Sequence, residues 1–274
     1  MKREIAFITF LDILFLLLLS FSGSTSGVFS EILYYIAFIL PIALGLRFVK
    51  ITASAESSEC SALGIKMTKS DSLKFIPLVF PVITAVFAVS LLTSVVMGLF
   101  GFADSTVINE PFPLAVLLHA LIPAILEEML FRYIPLKLTL RHSGKWAVIL
   151  SSLFFSLVHA DLFRIPYAFI AGILFALVDI SAGSILPSII LHFLNNTLSL
   201  VFMMYFGESG GIWFFLALIA LSAISSVIII IYKKSYKNFL SPLTSAEKAV
   251  EISYAPFALI ILTLILAITN LISA

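Results

Sequence analysis

Nine long, predominantly apolar stretches, most of them close to 20 residues, leave little choice of fold for this chain. A bilayer core about 30 Å thick takes roughly 20 helical residues to cross. Stretches near 5–21, 30–49, 75–100, 113–136, 146–160, 165–181, 184–206, 212–232 and 255–273 meet that length or fall a little short of it. The fifth and sixth are short, and only Ala160-Asp161-Leu162-Phe163-Arg164 divides them. That segment reads either as a tight turn between two spans or as a break within a re-entrant hairpin. The expected fold is an all-α integral membrane protein: a polytopic bundle of eight or nine transmembrane helices with an intramembrane polar cavity. Composition agrees, because 61% of the 274 residues are hydrophobic and 11% charged, against roughly 45–50% apolar in soluble domains. Lipid accepts such a chain only where backbone polar groups are satisfied internally, and runs that do not alternate select helices over a barrel.

Loop charge tests the partition, since Lys and Arg collect on the cytoplasmic side. With the N-terminus cytoplasmic, that side holds Lys2, Arg3, Arg47, Lys50, Lys66, Lys69, Lys74, Lys137, Arg141, Lys145, Lys233, Lys234, Lys237 and Lys248. Arg164 alone falls on the opposite side, and Arg132 lies inside the fourth stretch. The split favours nine spans with the C-terminus outside. The first span, with its basic start and a Ser/Gly-rich exit from Ser20 to Gly27, also describes a signal peptide; no small-x-small site ends it clearly, so it reads as a retained helix. The Ser-rich, mixed-charge stretch 51–73 reads as a cytoplasmic loop. A net charge of +1 with scattered basic residues offers no clustered basic face, so nucleic acid is not an expected partner. The single cysteine, Cys60, excludes an intramolecular disulfide and a thiolate-based structural zinc site.

An ionisable side chain at the bilayer centre costs about 2.5–3.5 kcal/mol on insertion scales, so each one needs a reason. The candidates are Asp12, His119, Glu127, Glu128, Arg132, His159, Asp179 and His192. Glu128 and Arg132, four apart, can pair on one helix face, while Glu127 points about 100° away. That division makes Glu128 and Arg132 structural support and leaves Glu127 to react. His159 is expected to end the fifth helix, with Phe155 one turn earlier. His192 and Asn196 share a stripe of the seventh helix and either glue helices or face a cavity. Counting about 1.5 Å per residue from the inferred cytoplasmic ends puts Glu127 about 13 Å, His192 about 12 Å and His159 about 20 Å deep. One polar cavity would produce such a shared layer. Pro123 should kink the fourth helix beside it, and His119 lies two turns before Glu127. Asp12 is expected to face the bundle and Asp179 to lie close to an interface.

Other intramembrane chemistries fail on their motifs. Gly207-Glu208-Ser209-Gly210 fits a serine-protease pattern, but such enzymes need a histidine on a later helix, and all four histidines precede residue 193. It is expected to be a loop turn. Neither His-Glu-x-x-His nor Gly-x-Gly-Asp occurs.

Glu127-Glu128-x-x-x-Arg132, Phe155-x-x-x-His159 and His192-x-x-x-Asn196 follow one another on three hydrophobic stretches. The ordered trio, within residues 113–206, resembles the CAAX protease and bacteriocin-processing family of intramembrane endopeptidases, the ABI or CPBP group, which includes the Ras-converting type CAAX prenyl proteases. The resemblance implies that Glu127 and His159 activate water and that His192 with Asn196 stabilises the oxyanion. It implies a peptide or protein substrate, membrane-associated or lipidated, met within the lipid bilayer. The family has often been labelled metalloprotease; if zinc is bound, Glu127, His159 and His192 are the candidate ligands. A metal-free glutamate mechanism is the expectation, because Asn196 beside His192 suits an oxyanion hole better than a coordination shell. The chain then divides into N-terminal helices and loop (1–112), a catalytic core (113–206) and C-terminal helices (207–274).

Two other classes would use the same groups. A proton-coupled transporter would need them as a relay and would cleave no peptide. A non-catalytic bacteriocin-immunity or scaffold protein would tolerate loss of Glu127.

Overall fold

The structure, a computed structural model, describes residues 1–55, 63–64, 75–102, 108–244 and 254–273. Cys60, Lys66, Lys69, Lys74 and Lys248 lie outside them, as do the side chains of Gly207, Glu208 and Ser209.

The main helices are α1 (Lys2–Gly23), α2 (Gly27–Ala55), α3 (Ile76–Leu99), α4 (Phe112–Thr139), α5 (Gly144–Leu157), α6 (Ile165–Ala182), α7 (Leu186–Phe206), α8 (Gly207–Ile231) and α9 (Ala255–Ser273). Seven, all but α5 and α9, are long and apolar enough to cross a bilayer, and those two are shorter apolar helices. The protein is thus a multi-pass helical membrane protein. The stretch 51–55 continues α2 instead of opening a loop. Gly207 to Gly210 begin a helix where a loop turn was expected: an apolar run follows them directly, and backbone in an apolar medium is best satisfied by helix.

Contacts between helix ends fix how the helices alternate. Glu4, at the start of α1, pairs with Arg141, just beyond α4, at 2.7 Å. Gly64, beyond α2, exchanges backbone bonds of 2.9 and 3.0 Å with Gly183 and Ile185, between α6 and α7. Pro242, beyond α8, packs on Gly144 at the start of α5. At the opposite end Ser22 bonds Ser30 across the α1–α2 turn at 2.7 Å, and Asn270 of α9 bonds the Ala160 carbonyl beyond α5 at 3.1 Å. Each of these contacts joins ends that nine alternating helices bring together, and 160–164 is a turn between α5 and α6.

The largest core cluster joins α1, α2, α4, α5, α6 and α9, with Phe15 edge-on to Phe131 at 5.1 Å. A second joins α3, α6 and α7. At the α5–α6 crossing, Gly172 permits the contact: a Cβ there would lie 2.8 Å from Ser152 Cα. Asp12 faces the bundle, 1% exposed. Asp179, in the last turn of α6, is fully buried in the bundle: its Oδ1 accepts the Ser188 N–H at 2.9 Å and so satisfies one orphan donor in the first turn of α7. That partner is nine residues away across a turn, beyond any helical spacing.

Candidate active site

α4 is not a regular α-helix. Val116–Leu121 and Met129–Tyr133 are wound as π-helix, on either side of the turn that carries Glu127, a distortion frequent at functional sites. Pro123 contributes a definite effect. It has no N–H for the carbonyl four residues back, His119, and that carbonyl accepts instead from Asn196 Nδ2 of α7 at 3.4 Å. The expected kink is therefore tied to the motif on another helix.

The two glutamates part as their positions on the helix require. Glu128 is 0% exposed and receives Arg132 Nε at 3.1 Å on one oxygen and His192 Nδ1 at 3.0 Å on the other. Arg132 also donates to the Gly172 carbonyl at 2.9 Å and lies over the Phe155 ring, 5.0 Å from its centre. The support role expected of Glu128 and Arg132 thus extends further than the pair itself, because Glu128 also holds the imidazole of His192. Glu127 is 19% exposed on its side chain and lines a cavity of about 520 Å³. Its Oε2 is buried with no hydrogen-bond partner among the described residues.

Both imidazoles converge on that oxygen. His159 Nε2 and His192 Nε2 each stand 3.9 Å from Glu127 Oε2. His159 lies beyond α5, not at its end, and its Nδ1 bonds the Phe155 carbonyl at 2.8 Å. A carbonyl and a carboxylate only accept, so each ring carries its proton on Nδ1 in the bonds shown, and each presents Nε2 to Glu127. A gap of 3.9 Å is too long for a hydrogen bond and suits one bridged by water. The turn after His159 is strained: Ala160 has φ +47°, a left-handed conformation that costs a non-glycine residue roughly 1–2 kcal/mol.

Asn196 lines the same cavity. Its amide nitrogen faces the His119 carbonyl and its oxygen accepts from Asn195 Nδ2 at 3.4 Å, which leaves one N–H for another acceptor. Asn195, three residues after His192, also lines the cavity and was not singled out in the sequence, although the same helical spacing that paired His192 with Asn196 would have reached it. Arg164 lines it too, paired with Asp161 at 3.2 Å. At the rim His119 stands 3.5 Å from Glu110. The Glu110 carboxyl lies below its usual range, first through its own backbone N–H and then through His119.

Zinc held by a carboxylate and two imidazoles at about 2.0–2.2 Å sets tetrahedral donors roughly 3.3–3.5 Å apart. Both separations here are 3.9 Å, and no trio of His, Cys, Asp or Glu among the described residues is placed to hold a metal.

No curated protein and no solved structure matches the chain. Residues 109–198, about a third of it, match the model of the type II CAAX prenyl endopeptidase family, Rce1-like. At the level of the family this supports an intramembrane protease acting on a peptide substrate. The stretch that carries Glu127, both imidazoles and Asn196 is therefore similar to the CAAX proteases, the family that the ordered motifs resemble.

Proposed function

We propose that the protein is an intramembrane endopeptidase that hydrolyses a peptide bond with a water activated by Glu127. The observation that carries the reading is the placing of one unpartnered carboxylate oxygen equally far from two imidazole nitrogens, in a cavity that Arg164, Asn195 and Asn196 also line.

A water between Glu127 Oε2 and His159 Nε2 meets two acceptors. Its two O–H bonds point at them, and an oxygen lone pair is left facing the cavity. Glu127 takes one proton as the oxygen attacks the carbonyl carbon of the substrate. In its imidazolium form His192 donates from Nε2, and with the remaining N–H of Asn196 it stabilises the charge that develops on the carbonyl oxygen. Glu127, now protonated, returns its proton to the leaving nitrogen, and the C–N bond breaks to give an acid and an amine. Glu128 and Arg132 act through His192 by fixing its direction and balancing its charge.

Glu127→Gln keeps the shape and removes the base. The expected loss is at least roughly 10²-fold in cleavage of a quenched peptide by the purified protein, with an unchanged gel-filtration profile in the same detergent. Wild-type turnover by the folded variant would remove this mechanism.

A further inference from the structure

We propose that Asn270, near the end of α9, is a positioning residue for His159: by holding the Ala160 carbonyl it fixes the turn that stops α5 and directs the imidazole at Glu127. The proposal rests on the reading of His159 as the group that orders the water.

The bonds at the end of α5 show what the turn does. Val158 N–H still reaches back four residues, to Phe154 at 3.3 Å. His159 N–H reaches back only three, to Ser156 at 3.3 Å, and Ala160 N–H likewise to Leu157 at 3.1 Å. The tightening leaves the Phe155 carbonyl without the amide that a continuing α-helix would give it. The His159 Nδ1–H takes that carbonyl, at 2.8 Å. Carried one residue further, the helix would bring the His159 backbone N–H onto the Phe155 carbonyl, and the ring would have to share that acceptor. The direction of Nε2 therefore depends on where α5 ends.

The turn that follows α5 closes at Ala160, the only non-glycine residue with positive φ among the described residues. Such a conformation persists where the surroundings over-determine it. On the far side of the turn, Asp161 accepts from Phe163 N–H at 2.8 Å and pairs with Arg164. On the near side the Ala160 carbonyl receives Asn270 Nδ2 at 3.1 Å, across 110 residues of chain. α9 delivers that donor through a buried stripe, Leu259, Thr263 and Ala267, that seats it in the bundle. Asn270 follows this stripe by three residues, is itself exposed, and lies outside the segment that matches the protease family.

The test uses the full chain in detergent and compares wild type, Asn270→Ala, Ala160→Gly and the double variant. Two quantities are read: steady-state cleavage of one quenched peptide, and the imidazole nitrogen shifts of His159 in protein carrying ¹⁵N-histidine. The expectation for Asn270→Ala is a fall of roughly 10- to 100-fold in kcat with KM little changed, the scale of a displaced catalytic group. His159 should pass from a single Nδ1–H form to a mixture of tautomers. Glycine adopts positive φ freely, so Ala160→Gly should restore both quantities in the double variant, which mere loss of helix packing would not allow. An unchanged kcat and tautomer in Asn270→Ala overturn the proposal, and so does failure of Ala160→Gly to restore either. If Asn270→Ala does not fold, Asn270→Asp, equal in shape but without the donor, must show the same two losses. A wild type that cleaves no peptide overturns the proposed hydrolysis, while the tautomer measurement still decides the role of Asn270.

Discussion

Glu127 and Glu128 are neighbours in the chain, yet one faces a cavity and the other is sealed between Arg132 and His192. Removing one partner of a buried ion pair leaves the other charge uncompensated, at about 3–5 kcal/mol. Glu128→Gln should therefore lower the thermal midpoint by several degrees and also slow cleavage, because His192 loses the acceptor that orients it. Loss of rate with no change in the midpoint would contradict the network. Asn196 gives a finer test. Asn196→Ala should lower kcat and kcat/KM together, by roughly 10²–10³ for one oxyanion donor. Asn196→Asp should be worse, since it sets a negative charge against an oxyanion. A deficit confined to KM would make Asn196 a helix-packing residue only. Much at this scale was legible in the sequence, because spacings of four residues report which side chains share a helix face: Glu128 with Arg132, and His192 with Asn196. The bond from His192 to Glu128, 64 residues apart, was not, since helical periodicity carries no information about which face of one helix meets which face of another.

The spans were legible because each is a long apolar run, and length in a bilayer nearly decides the element. What composition does not encode is how a helix departs from ideal winding. The π-turns of α4 and the early stop of α5 put Glu127 and His159 where they are. Pro123 marked a departure in α4 without its π-winding, and the segment from Ala160 to Arg164 marked where α5 gives way; the left-handed turn at Ala160 was not marked, because alanine is the last residue to suggest one. The crossing of α5 and α6 is a further element-scale feature. Gly172 allows Ser152 to approach and lends its carbonyl to Arg132. Gly172→Ala should force these helices apart and cost about 1–3 kcal/mol as overpacking, seen as a lower midpoint. The same variant should weaken peptide cleavage, through Arg132. An alanine variant as stable as wild type would show that the crossing has slack.

Across the whole molecule, the charge split of the loops predicts an N-terminus in the cytoplasm and a C-terminus on the far side. The contacts between helix ends agree with nine alternating helices, the arrangement that separates the two termini. Reporter fusions after Lys234 and at the C-terminal end should give opposite signals, and matching signals would remove the nine-pass arrangement. The bond between α9 and the turn after α5 then has a meaning for how such proteins diversify. A chimera that carried residues 109–198 into foreign flanking helices would inherit every acid, imidazole and amide of the three motifs. It would lack the one distant donor that tells α5 where to stop, so its activity would depend on whether the new neighbours happened to supply another.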